Sequence, residues 1–175
     1  MSTKTILVTR RLRLRTWRRS DWKTYDQHCN TEEVMRWLGG TLTRRQVQRE
    51  VDWYMRHQAR HSFSFWVVER KRDAALLGFC GLIRVGELAS PIRGELEIGW
   101  RICSDAWRCG YALEAASAVR DWASSNLPGQ SIFARINVQN DASAALARQL
   151  GMRSIPDFEH THPQDGMRLA LFTVQ

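Results

Sequence analysis

No stretch of this 175-residue chain approaches the roughly 20 consecutive apolar residues that a membrane-spanning helix needs. The leading residues, MSTKTILVTRRLRLRTW, hold no continuous apolar segment. No secretory signal is therefore expected, and the expected location is the cytoplasm. Cysteine is sparse: Cys29, Cys80, Cys103 and Cys109 form neither a CxxC pair nor a Cys/His zinc spacing. Free thiols, no disulfide framework and no metal are the expectation. Only 4 prolines are present, with no Pro/Ser-rich linker, repeat or low-complexity run. Residues 1–175 are accordingly read as one domain.

Hydrophobic residues make up 43% and charged residues 25%, the balance of a soluble chain that can bury a real core. Acid is in deficit, 18 Asp+Glu against 26 Lys+Arg, for a net charge of +8. Arginine far outnumbers lysine, which favours planar, bidentate contacts to phosphate or carboxylate. Nucleic acid, an acidic protein and a polyphosphate ligand all fit such a surface, and a GC-rich genome yields the same composition. Charge alone does not choose among them.

Periodicity supplies the elements. TRRLRLRTW alternates Leu12 and Leu14 against Arg11, Arg13 and Arg15, the period of a half-buried strand. SDWKTYDQHCN opens with Ser20 as a candidate N-cap, and NTEEVMRWLGG reads as a short helix stopped by Gly39 and Gly40. Thr43 and Gln46 match a capping box before a helix that gathers Val47, Val51 and Tyr54 on one face. SFSFWVVER and LLGFCGLIRV read as strands joined by a polar turn, and GELEIGWRI as a third. An Ala-rich helix, the strand QSIFARINVQ, the helix NDASAALARQLG with Gly151 at its end, and the strand RLALFTVQ complete the order. The order β-α-α-β-β-β-α-β-α-β predicts a mixed α+β domain with helices over one sheet. Adjacent strands near residues 63–86 predict antiparallel pairing, and the passage from 95 to 138 a parallel crossover.

The segment SDAWRCGYALEAASAVRDW places Arg108, Cys109 and Gly110 at the start of the Ala-rich helix. Ala112, Ala115, Ala116, Val119 and Trp122 give that helix a narrow apolar face of mostly small residues, suited to close approach to a sheet. A helix N-terminus offers N–H groups without intrahelical partners and a partial positive charge. An anion satisfies both. Gly110 lets the backbone approach a ligand without a Cβ in the way. Such a turn is equally an ordinary strand-to-helix connection.

ELEIGWRICSDAWRCGYALEAASAVRDWA followed by INVQNDASAALARQLGMRSI closely resembles the GCN5-related N-acetyltransferases, and among them the ribosomal-protein alanine N-acetyltransferases. The likeness runs from RLRLRTW to the final strand. The family's pyrophosphate pattern, Gln/Arg-x-x-Gly-x-Gly/Ala, falls on Trp107, Gly110 and Ala112. Tryptophan is familiar at the first position in the ribosomal-protein branch. That branch usually has glycine next, where this chain has Arg108.

The resemblance implies a mixed, mostly antiparallel sheet of six to seven strands, with acetyl-CoA in a cleft where two neighbours splay apart. It places pantetheine against backbone near Ile102 and Cys103, and the pyrophosphate on the N–H groups of Arg108, Cys109, Gly110, Tyr111 and Ala112. Trp107 belongs to the same turn, and Asn140 is implied to bond the pantetheine arm. Coenzyme A carries roughly four negative charges, which suits a basic protein.

Acetyl transfer needs a neutral amine, a donor for the tetrahedral oxyanion and a proton for the leaving thiolate. Glu97 is the candidate base. On a strand it shares a face with Glu95, Gly99 and Arg101, opposite Leu96, Ile98, Trp100 and Ile102. The competing role for Glu97 is an ion pair with Arg101 or another arginine; Glu95 is a second candidate base. Ser143 is the candidate acid near the thiolate, and helix capping by Ser143 and Asn140 is the alternative. Cys109 at a helix N-terminus has the setting of a reactive thiol, but no histidine adjoins it in sequence. Cys103 and Cys109 are read as space-filling. His160 and His162 are placed in a loop before the last strand, with no third metal ligand evident. Trp17, Trp22, Trp37 and Trp53 are candidates for the wall of an acceptor cleft.

The functional expectation is direct acetyl transfer from acetyl-CoA to a primary amine, of a protein N-terminus or a small molecule, by an N-acetyltransferase. A CoA-sensing protein without catalysis and an RNA-binding module are the alternatives. The alternating RRLRLR strand and the lack of a base-stacking motif disfavour RNA. A homodimer is the expectation drawn from relatives. The acceptor side, built from the first helices and the loops near 85–94 and 155–166, matches no specific pattern.

Overall fold

A computed structural model describes residues 3–86, 90–161 and 166–174. Eight strands form one sheet in the order β1-β2-β3-β4-β5-β6-β8-β7. The strands are β1 Thr5–Val8, β2 Leu12–Arg15, β3 Phe65–Arg70, β4 Leu76–Arg84, β5 Leu96–Ile102, β6 Ile132–Asn137, β7 Arg153–Thr161 and β8 Arg168–Thr173. The helices are α1 Asp21–Cys29, α2 Glu32–Met35, α3 Arg44–His61, α4 Tyr111–Asn126 and α5 Asp141–Gln149. Every described strand pairing is antiparallel except β5 with β6.

Two strands exceed the six that periodicity gives. β1 and β7 are the edges of the sheet, where a strand need not alternate apolar and polar residues. β7 absorbs part of the stretch expected as a loop: His160 lies in the strand, opposite Leu169 of β8. His162 lies outside the described residues.

The middle of the sheet is covered on both sides. β3 and β4 are buried almost end to end, as continuous apolar strands must be. On one side Phe65 and Phe79 stack under Tyr54 of α3. On the other, Trp66 meets Trp122 of α4 edge to face. Thr43 and Gln46 form the anticipated capping box, and Val47, Val51 and Tyr54 are buried. Ser20 precedes α1 but makes no side-chain cap bond. The Asp21 carboxylate accepts the Arg18 N–H instead, at 2.7 Å.

β2 corrects the half-buried reading of TRRLRLRTW. Arg15 is only 4% exposed. Its guanidinium donates to Glu69 at 2.7 Å and to Asp21 at 2.8 and 3.1 Å. A buried charge needs such partners. Arg13 pairs with Glu69 and Arg11 with Glu114, so this arginine run is engaged with carboxylates of its own chain.

His57 joins α3 to the sheet. Its Nδ1 lies 2.9 Å from the Phe63 carbonyl, and the Arg84 N–H donates to its Nε2 at 3.0 Å. A carbonyl only accepts and an amide N–H only donates, so the ring is neutral with its proton on Nδ1. Burial pushes the His57 pKa below its ordinary value. The neutral ring is favoured in the fold while the unfolded chain takes up a proton near pH 6.5. Its contribution is complete above that pH and is lost as pH falls toward the lower, folded-state pKa. Thermal unfolding from pH 7.5 to 5 should therefore show Tm falling below pH 6.5, with a shallower fall in His57→Gln.

Candidate active site

β5 is bonded along its whole length on one side only. Its register with β4 runs from Leu96 opposite Arg84 to Ile102 opposite Gly78. With β6 it pairs only at Leu96–Ile132 and Glu97–Phe133. Beyond Glu97 the two strands diverge. The backbone carbonyl of Glu95 and the N–H of Cys103 both bond toward the β4 side, to Val85 and Leu77. Strict alternation then turns the N–H and C=O of Ile98, Trp100 and Ile102 toward the gap. The backbone of Cys103 faces away: besides its bond to Leu77, its carbonyl accepts from Ala106. Ile102 O accepts from Trp107 Nε1 at 2.6 Å, which lays the indole across the end of the gap.

The turn at the end of β5 leads into α4. A single 3-10 turn, Ser104–Ala106, is followed by Arg108 at φ +56° and Gly110 at φ +75°. Both are left-handed. Glycine adopts this conformation freely, whereas Arg108 does so against its Cβ. Gly110 occupies the N-cap with no side chain to cap the helix. The first intrahelical bond runs from Glu114 N–H to the Gly110 carbonyl. The N–H groups of Gly110, Tyr111, Ala112 and Leu113 thus lack intrahelical acceptors.

A cavity of about 370 Å³ opens in the gap. One side of it carries Glu97, Gly99 and Arg101 of β5, facing Glu50 and Tyr54 of α3 and Trp37. The other carries Ile98, Trp100, Asn140 and Ser143. Glu97 and Arg135 of β6 form an ion pair, with Arg135 Nη2 and Nε at 2.7 and 3.0 Å from Glu97 Oε2. Each side chain is 12% exposed. The ion-pair role considered for Glu97 is therefore real, with Arg135 as partner. Arg101 bonds instead to both Glu50 oxygens at 3.3 Å and contacts the Tyr25 hydroxyl. Its buried Nε has no hydrogen-bond partner among the described residues. Burial pushes the phenols of Tyr25 and Tyr54 well above their ordinary range. Tyr54 accordingly donates its proton to Glu50, at 2.8 Å.

Asn140 caps α5, its Oδ1 accepting the Ser143 N–H at 3.1 Å, and still lines the cavity. Ser143 Oγ accepts from Trp100 Nε1 at 3.4 Å. Glu95 does not line the cavity. Of the four tryptophans considered for its wall, only Trp37 does. Trp17 is buried with its Nε1 on the Phe65 carbonyl, Trp22 packs against the core and Trp53 lies against His57. Cys29, Cys80 and Cys103 are buried; Cys109 is exposed. Burial raises the pKa of the Cys29 thiol to about 12 and also raises that of Cys103. Among the described residues no group of three His, Cys, Asp or Glu side chains is arranged to hold a metal. No helix there is long and apolar enough to cross a membrane.

Splayed parallel strands, an uncapped glycine turn and a carboxylate thus meet at one fork. The acetyltransferase (GNAT) domain family matches residues 11–153, and the chain belongs to that family. Uncharacterized protein YkkB of Bacillus subtilis (strain 168) is 33% identical over 155 residues, 87% of each chain. An acetyltransferase structure from Agrobacterium tumefaciens str. C58 superposes with a TM-score of 0.82 at 23% identity, over 100% of this chain and 96% of that one. The RimL ribosomal L7/L12 alpha-N-protein acetyltransferase in complex with coenzyme A gives 0.76 at 14% identity, covering 97% of each chain. The chain is thus an N-acetyltransferase with the GNAT fold.

Periodicity did not single out Glu50 or Arg135, and it gave Arg101 only as a candidate partner of Glu97, whereas Arg101 pairs with Glu50. Glu50 lies four residues before Tyr54 on the buried face of α3, an acid where an apolar residue is expected. Arg135 stands inside a strand bracketed by partners on both sides. A charge at an interior position was the available signal.

Gly99 makes the cavity floor. A Cβ there would come within 2.6 Å of the Phe65 ring, itself stacked on Phe79 at 4.8 Å. Gly99→Ala should cost about 1–3 kcal/mol by overpacking. The measurement is Tm, with a fall of roughly 2–4 °C for each kcal/mol.

Proposed function

We propose that the protein transfers acetyl directly from acetyl-CoA to a primary amine, of a protein N-terminus or a small molecule, with Glu97 as general base. The observation that carries this reading is the coincidence of three features at one fork. Unpaired backbone of β5 faces the gap, the free N-terminus of α4 closes one end, and Glu97 marks the last paired position. A pantetheine arm has amides to bond with Ile98, Trp100 and Ile102, in place of the missing strand. Its pyrophosphate suits the N–H groups from Arg108 to Ala112. Trp107 and Arg108 border that seat, and Tyr111 begins its helix.

The amine, stripped of its proton by Glu97 directly or through water, attacks the acetyl carbonyl carbon. A backbone N–H facing the gap is the available donor for the oxyanion. Collapse breaks the C–S bond, and the proton shed by the acylated nitrogen passes through Ser143 Oγ to the leaving thiolate, giving the amide and the free thiol. Arg135 fixes the orientation of Glu97, and Asn140 serves both as helix cap and as a polar contact for the arm.

Thermal unfolding with acetyl-CoA at 100 times Kd should show about 2.7 kcal/mol of added stability, a rise of roughly 5–10 °C. Glu97→Gln should lower turnover by about 10²–10⁴ while cofactor affinity holds. Unchanged turnover removes Glu97 from the chemistry. Binding without turnover over a panel of amines favours a CoA sensor.

A further inference from the structure

The Glu114 carboxylate, in the first turns of α4, is held by three donors, and all three come from the turn between β1 and β2. Thr9 Oγ1 and the Arg11 N–H reach Oε1 at 2.5 and 2.8 Å, and Arg11 Nε reaches Oε2 at 2.6 Å. Burial alone would raise the Glu114 pKa; the bonds from Thr9 and Arg11 overcome it and hold the carboxyl below its ordinary range. The same guanidinium then reaches further along the helix entrance. Arg11 Nη1 donates to the Cys109 carbonyl at 2.9 Å, and the group lies 4.5 Å from the centre of the Tyr111 ring. Nη2 stands 3.4 Å from the point where a Cβ on Gly110 would sit.

Cys109 lies between the two left-handed residues, Arg108 and Gly110. A carbonyl fixed at that position fixes the peptide plane that presents the Gly110 N–H. Arg108 adopts its conformation at a cost that the surroundings must offset. The Arg11 bond is the described side-chain contact on that stretch of backbone.

We propose that Arg11 and Glu114 form a brace that sets the Arg108–Gly110 turn for pyrophosphate binding, making the β1–β2 turn part of the cofactor site. The inference rests on the reading of that turn as the pyrophosphate seat. Arg11 and Glu114 are positioning residues: they act through the backbone of 108–110 and take no part in acetyl transfer.

The test compares two acetyl donors, acetyl-CoA and acetyl-pantetheine, which lacks the pyrophosphate. Two variants are used. Glu114→Gln keeps an oxygen to accept from Thr9 and the Arg11 N–H but loses the charge, and Arg11→Met keeps the apolar stem but loses the guanidinium. Each should raise KM for acetyl-CoA about five- to tenfold, the net scale of one hydrogen bond. Saturated kcat, and kcat/KM with acetyl-pantetheine, should stay at the wild-type level. An unchanged KM for acetyl-CoA in both variants overturns the brace. An equal loss with both donors also overturns it, in favour of a general role in stability. If wild-type protein uses both donors equally well, the pyrophosphate seat itself is wrong, a failure separate from that of the brace.

Discussion

The structure turns on a strand that is satisfied on one side and open on the other. β5 spends every backbone group that faces β4 and then parts from β6 after two residue pairs. Buried backbone groups must find partners. On the proposed reading, the pantetheine arm, an extended chain with spaced amides, stands in for the missing strand. The helix that follows β5 starts at the end of that gap. Its glycine leaves the N-terminal N–H groups without a side-chain cap.

The cavity between the diverging strands is polar in pairs rather than in excess. Each described carboxylate lining it, Glu50 or Glu97, has an arginine within bonding distance. Phe65 and Phe79 supply the floor, and Gly99 is what allows the Phe65 ring to lie against β5. On the proposed reading, this combination confines the amine by shape and by short-range hydrogen bonds. Attraction over a distance, on the same reading, belongs to Arg108 and the start of α4, since the charge of Arg11 is already paired with Glu114.

Much of the frame was legible in the residues. The Thr43–Gln46 capping box, the α3 stripe of Val47, Val51 and Tyr54, and the crossover around the Ala-rich helix follow from periodicity and cap chemistry. So does the division of β5 into a face with Glu97 and a face with Trp100. The edge strands β1 and β7 were not legible, because an edge need not alternate. Arg15 was misplaced for a related reason. Period-two reasoning assigns it to the wet face, yet Asp21 and Glu69 bring it inside, and both partners are far from obvious in a linear reading. The ion pair of Glu97 was foreseen as a type of contact, but its partner, Arg135, depends on how β6 lies beside β5. Contacts of this kind are fixed by register and not by local pattern.

The stitching of Thr9 and Arg11 to Glu114 spans 103 to 105 residues of chain. Loop closure over such a span is costly until the intervening strands have paired. The glycine turn is thus not a self-contained motif that can assemble early and wait. As the polypeptide emerges from synthesis, its first hairpin remains without its acidic partner until α4 has been made. The helix entrance then reaches its final form together with the completed sheet, and a half-folded chain carries the residues of that entrance without its geometry.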